Sequence, residues 1–132
     1  MAHYVDTSAF LKLVVVEEHS GAFRSWAEAH DGELFSSDLL TTEALRTARR
    51  HSTAALREAR SRLDVLTIVR LGPHVFERAA ELDPAILRTL DALRLAAALL
   101  AGDELEGIAT YDQRLADAAA THGVAVVRPS AG

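Results

Sequence analysis

The sequence predicts an α/β fold: one domain, with helices on both faces of a parallel central sheet of about four or five strands. Three observations lead there. Short apolar runs alternate with segments of helical periodicity along the chain. The length of 132 residues suits one domain, and 49% apolar with 25% charged residues is the balance of an ordinary globule. Two of the short runs end directly on an aspartate, Asp6 and Asp112, which is how a strand leads into a site at the carboxyl edge of an open sheet.

The first strand is Ala2 to Val5, closed by Asp6-Thr7-Ser8. Ser8 to Glu17 carries Phe10, Leu11, Val14 and Val15 at helical spacing, and Ala22 to His30 reads as a second helix ended by Asp31-Gly32. Leu34 to Ser36 is a short strand. Asp38 is suited to cap a helix from Leu39 to about His51, and Thr53 to Leu63 is a further, arginine-rich helix. Val65 to Val69 is β-branched and reads as the third strand. Gly72-Pro73 opens a helix that stops near Asp83-Pro84. Ile86 to Ala101 predicts the longest helix, apolar nearly all round and therefore buried. Gly107 to Thr110 is the fourth strand, Arg114 to His122 a helix, Val124 to Val127 the fifth strand and Arg128 to Gly132 a tail.

Composition excludes several chemistries. Without cysteine there is no disulfide, thiolate nucleophile or cysteine-ligated zinc. The six histidines show no H-E-x-x-H spacing, and neither a G-x-G-x-x-G nor a phosphate-loop lysine motif occurs. The longest apolar run, Leu95 to Ala101, is too short to span a bilayer, and the first residues lack the layout of a signal peptide, so the expectation is a cytoplasmic protein without a membrane partner. A net charge of −5 does not suggest bulk electrostatic binding to nucleic acid. Yet Ala44 to Leu63 holds six arginines, among them Arg46, Arg49 and Arg50, against one acid, Glu58. A solvated helical face accounts for that run, and so does a local clamp for phosphates.

Four carboxylates stand out. Asp6 and Asp112 follow strands, and each suits either a helix cap or a ligand position. Asp91 lies on a helix with hardly any polar face, where an unpaired carboxylate is too costly to bury. It pairs with Arg88 or Arg94, or it faces a polar cavity. Glu43, in T-T-E-A-L-R, is an exposed partner of Arg46 or a fourth member of that cavity. If the four converge, two carboxylates at ~5 Å repel by roughly 3 kcal/mol at an effective dielectric of about 20, so the cluster needs a cation. Oxygen-only ligands select hard dications, Mg²⁺ or Mn²⁺, which suit in-line hydrolysis of a phosphodiester.

The segments Y-V-D-T-S-A, S-S-x-L-x-x-x-E-x-L-R, L-R-T-L-D-A-L-x-L-A-x-A-L and T-Y-D-x-R-L-A-x-A-A, in that order over nearly the whole chain, resemble PIN-domain ribonucleases of the VapC toxin type. The resemblance implies an α/β/α sandwich around a parallel sheet and a Mg²⁺- or Mn²⁺-dependent endoribonuclease that cuts RNA, often tRNA or rRNA, to arrest translation. It implies that Asp6, Glu43, Asp91 and Asp112 form the catalytic metal site, with Asp6 and Asp91 the principal ligands and Ser8 and Thr110 orienting the ion or its waters. The implied partners are RNA, a VapB-type antitoxin and a second copy of the chain. One position departs from the pattern: relatives often carry histidine where this chain has Arg94. Arg94 in the pocket either pairs with Asp91 and weakens metal binding or, like Arg46, Arg49 and Arg50, contacts the RNA backbone.

Other readings fit less well. A strand-end phosphatase needs a second Asp where Ser8 stands, and a receiver needs an acidic pair after the first strand and a lysine near the last. A non-catalytic module that only binds an antitoxin is open from the residues alone. Phe10, Phe23 and Trp26 serve core packing or, alternatively, an antitoxin-binding groove.

Overall fold

The first strand lies in the middle of the sheet. In a computed structural model, which describes residues 1–130, β1 (Ala2–Val5) pairs in parallel with β2 (Leu34–Ser37) on one side and β4 (Leu105–Ala109) on the other. β3 (Thr67–Val69) and β5 (Val126–Val127) form the edges, giving the parallel order β3-β2-β1-β4-β5. Alternation along the strands divides the core. Val5 and Ala109 face α1 (Thr7–Phe10), α2 (Ser20–Ala29), α3 (Asp38–His51) and α4 (Thr53–Val65). Tyr4, Phe35 and Ile108 face α6 (Thr89–Leu99) and α7 (Gln113–Thr121), while α5 (Pro73–Glu81) packs its Val75 and Ala79 against α6. This is the predicted sandwich, with five strands.

Register builds the site edge. Tyr4 stands beside Ile108 and Val5 beside Ala109, and the Asp6 amide donates to the Ala109 carbonyl at 3.0 Å. One residue further on, Asp6 and Thr110 are neighbours. Phe35 is the partner of Tyr4 on the other side, so Ser37 and the start of α3 end at the same level. Close approach of β4 to β5 depends on Gly107, where a Cβ would lie 2.9 Å from the Ala125 carbonyl oxygen.

Several boundaries differ from expectation. The first helix is one α turn continued by a 3-10 turn, Leu11–Leu13, because Val14, Val15 and Val16 form a β-branched run that resists further helix. Asp38 does not cap α3. It is the first helical residue, and its Oδ2 accepts the Leu71 amide at 3.4 Å. Val65 stays in α4 and is exposed, leaving three residues for β3. The segment from Pro84 to Leu87 is a turn, closed by the Leu87 amide on the Pro84 carbonyl, so α6 starts at Thr89 and Ile86 is exposed. The longest helix is α3, not α6. The last two residues of the expected tail lie outside the described residues.

Candidate active site

At the carboxyl edge of the sheet Asp6 is 4% exposed. It is the N-cap residue of α1, yet its side chain makes no cap hydrogen bond. Its Oδ2 instead accepts from Ser8 Oγ and Thr110 Oγ1, each at 2.9 Å. The two hydroxyls are themselves fixed by backbone amides: Tyr111 N–H donates to Ser8 Oγ at 2.8 Å, and Asp112 N–H to Thr110 Oγ1 at 3.0 Å. Each hydroxyl therefore accepts a hydrogen bond from a backbone amide and donates one to Asp6, which holds the carboxylate in one orientation.

Asp91 reaches the same place from the first turn of α6, where the helix dipole favours an anion, and is 3% exposed. Burial, then the charge of nearby Asp112, holds its carboxyl above the usual aspartate range, with Arg94 acting in the opposite direction. Glu43 arrives from the second turn of α3. Its Oε1 accepts from Thr7 Oγ1 at 2.9 Å.

Arg94 lies at the centre of these acids. Its Nη1 is 3.4 Å from Asp91 Oδ1, its Nε 3.3 Å from Asp6 Oδ1, and its Nη2 donates to Glu43 Oε2. The side chain is 13% exposed. Burial opposes its charge, but Asp6, Glu43 and Asp91 together hold the guanidinium above its ordinary value and fully charged. Of the two arginines that could pair with Asp91, the structure selects Arg94. Arg88 instead occupies the N-cap position of α6, without a side-chain cap.

Asp112 stands at the edge of the cluster. Its Oδ1 accepts the Arg114 and Leu115 amides at 2.9 and 3.4 Å, so this carboxylate does cap its helix, α7, and it reaches Asp91 through its charge rather than by contact. Three acids thus converge and the fourth borders them. Arg46, Arg49 and Arg50 are exposed on α3 and take no part in the acidic cluster. Helical spacing puts Arg46 and Arg50 on the side of α3 that carries Glu43. Phe10 and Phe23 are fully buried and floor a groove of about 530 Å³ that Leu13, Val65 and Leu66 also line. Trp26 packs on the same core, stacking on Phe23, and also stacks on His30 and meets the edge of His3.

Two contributors were not singled out from the sequence. Thr7 anchors Glu43 and is legible only as the middle letter of D-T-S after the strand. Tyr111 packs between Lys12, 4.8 Å from its ring centroid, and Arg128, 5.9 Å away, setting two cations beside the Thr110–Asp112 turn.

A parallel five-stranded sheet with acids gathered at its carboxyl edge agrees with the family comparison, in which the PIN domain model matches residues 3–121. The chain belongs to the PIN-domain family. Ribonuclease VapC46 of Mycobacterium tuberculosis is 39% identical over 129 residues, covering 98% of each chain, which makes this PIN domain one of the VapC type. The fold is shared with the crystal structure of Mycobacterium tuberculosis VapC20, a sarcin-ricin loop cleaving toxin (TM-score 0.75, 20% identity, 97% of this chain and 100% of that one). It is shared too with VapBC2 of Rickettsia felis bound to a DNA fragment from their promoter (TM-score 0.71, 13% identity, 98% and 100%).

The donor set of this PIN domain is carboxylate and hydroxyl oxygen alone, which fits a hard dication and not a soft one. As the side chains stand, with Arg94 among them, no three acidic or imidazole groups among the described residues are close enough to share one ion.

Proposed function

We propose that this PIN domain is a metal-dependent endoribonuclease, the toxin of a VapBC-type pair, hydrolysing phosphodiester bonds in RNA such as tRNA or rRNA. The observation that carries the reading is the meeting of Asp6, Glu43 and Asp91 around one charge, with Asp112 beside them. Asp6 and Asp91 would be the principal holders of Mg²⁺ or Mn²⁺, with Glu43 and Asp112 completing the set. Bound there, such an ion supplies a Lewis-acid contact for a phosphate oxygen and an acidified water. The chain's own residues do the rest. Ser8 and Thr110 keep Asp6 aimed and Thr7 does the same for Glu43. Burial keeps bulk water from Asp6 and Asp91 and strengthens every charge interaction between them. Arg46, Arg49 and Arg50 supply positive charge for the RNA backbone beyond Glu43.

The experiment is cleavage of a structured RNA by purified protein with Mg²⁺ or Mn²⁺, compared with Asp6→Asn and with chelator. Cleavage that stops in EDTA and falls by two or more orders of magnitude in the variant is expected, the scale of losing a group that stabilises a transition state. Cleavage that persists in either condition sinks the reading, and none with any divalent ion leaves a non-catalytic module.

Partners follow the same relatives. An antitoxin of the VapB type is expected to cover the apolar groove between α2 and α4, and a second copy of the chain to cover exposed Phe76 and Leu90, which line a hollow beside Glu43. Sedimentation of the chain alone and with its antitoxin decides both; a monomer under all conditions removes the homodimer. No helix among the described residues is long and apolar enough to cross a membrane. We place the protein's work in the cytoplasm, where RNA and an antitoxin would meet it; fractionation of tagged protein away from the cytoplasm would reject that.

A further inference from the structure

We infer that Arg94 is a tethered cation that competes with a divalent metal ion for the acidic centre, so that the chain carries its own reversible block on metal loading. The inference rests on the reading of this cluster as a metal site. Its basis is an inventory of oxygens. Asp6 gives Oδ2 to Ser8 and Thr110, and Glu43 gives Oε1 to Thr7. Of the oxygens of Asp6 and Glu43, those left for a cation are Asp6 Oδ1 and Glu43 Oε2, and both face Arg94, as does one oxygen of Asp91, Oδ1. A dication needs the same atoms. It cannot take them while the guanidinium stays, because two cations would then share one set of ligands.

The seat of Arg94 is strong but incomplete. Three carboxylates against one guanidinium leave negative charge over, which a dication would neutralise better. The Nε proton is buried and has no hydrogen-bond acceptor, since Asp6 Oδ1 is close to Nε but out of line with its N–H. An arginine built purely to hold the fold would be expected to satisfy that donor. The side chain is also rooted on α6 one helical turn from Asp91, so a displaced guanidinium stays within one side-chain length of the acids.

The test is Mn²⁺ binding by titration calorimetry and thermal unfolding in EDTA or excess Mn²⁺, on the wild-type chain, Arg94→Gln, Arg94→Lys and Asp6→Asn. Arg94→Gln is expected to melt lower than wild type in EDTA, because repulsion among the acids is no longer quenched, and to bind Mn²⁺ roughly tenfold or more tightly. Its melting temperature should then gain more from Mn²⁺ than that of wild type. Equal or weaker Mn²⁺ binding by a folded Arg94→Gln overturns the inference. Should that variant fail to fold in EDTA, Arg94→Lys serves the same comparison, since an ammonium cannot bridge three acids as a planar fork does. Two failures are told apart by Asp6→Asn. If wild type and Arg94→Gln bind Mn²⁺ equally and Asp6→Asn abolishes binding, the metal site stands and the competition falls. If none of the proteins binds Mn²⁺, the metal reading falls and takes the competition with it.

Discussion

Asp91 is the residue at which charge and burial conflict most directly. Its carboxyl is held above the ordinary range, first by burial and then by Asp112. A folded-state value above the unfolded one means that the native protein binds the proton more tightly. The Asp91 contribution to stability is therefore greatest at acid pH and declines as pH rises from the ordinary aspartate value of about 3.9 through the raised folded value. Asp91→Asn removes that decline while Arg94 keeps Asp6 and Glu43 as partners. The variant is expected to be as stable as wild type or more so near pH 7, by about 1 kcal/mol, with the advantage gone near pH 3. Urea melts at the two pH values check this, and a variant markedly less stable at about pH 7 would show that Asp91 is a structural ion-pair partner. Asp91 was legible in the sequence because a carboxylate in L-R-T-L-D-A-L-R-L-A-A-A has to be compensated. Which arginine compensates it was not legible, since Arg88 and Arg94 are both three residues away. Thr7 was hidden for another reason: its partner Glu43 is 36 positions distant, and no local pattern reports such a contact.

Between residue and fold stand the helix starts, and α7 shows how one side chain serves two ends. Asp112 caps α7 through two backbone amides and lends its charge to the acidic centre. From the sequence, Asp6 and Asp112 each suit either a cap or a ligand position. The structure gives Asp6 no cap bond and Asp112 a full one. D-T-S differs from D-Q-R by Ser8, which helps turn Asp6 inward; the second hydroxyl, Thr110, comes from 104 positions away and is invisible to any local pattern. Asp112→Asn retains a capping oxygen, whereas Asp112→Ala does not. The alanine variant is expected to lose about 1 kcal/mol of stability and the asparagine variant only a few tenths, while both lose RNA cleavage. Denaturant unfolding alongside the cleavage assay separates the roles; full activity in Asp112→Asn would reduce Asp112 to a cap. Element type was well predicted where periodicity is long, as in α3, α4 and α7. It was less well predicted at Val65 and Ile86, which read as the start of a strand and of a helix and are exposed in a helix end and a turn.

On the scale of the molecule, the proposed activity would require a protein of net charge −5 to hold a polyanion. The exposed Arg46 and Arg50 share a face of α3 with Glu43, which offers phosphates a positive approach to an otherwise negative edge. In an Asp6→Asn background, changing both arginines to glutamine should weaken RNA binding and lower the slope of log affinity against log salt by about 1 to 2. Fluorescence anisotropy across a salt series measures it, and an unchanged slope would assign the arginines to solvent. The topology has a further consequence. β1 is central, and its neighbour β4 arrives about a hundred residues later, bringing Thr110 and Asp112 with it. A partly translated chain can form the first strand and α3, but it has no oriented Asp6 until β4 emerges and docks. The acidic centre therefore cannot be complete until Thr110 has been made and β4 has paired with β1.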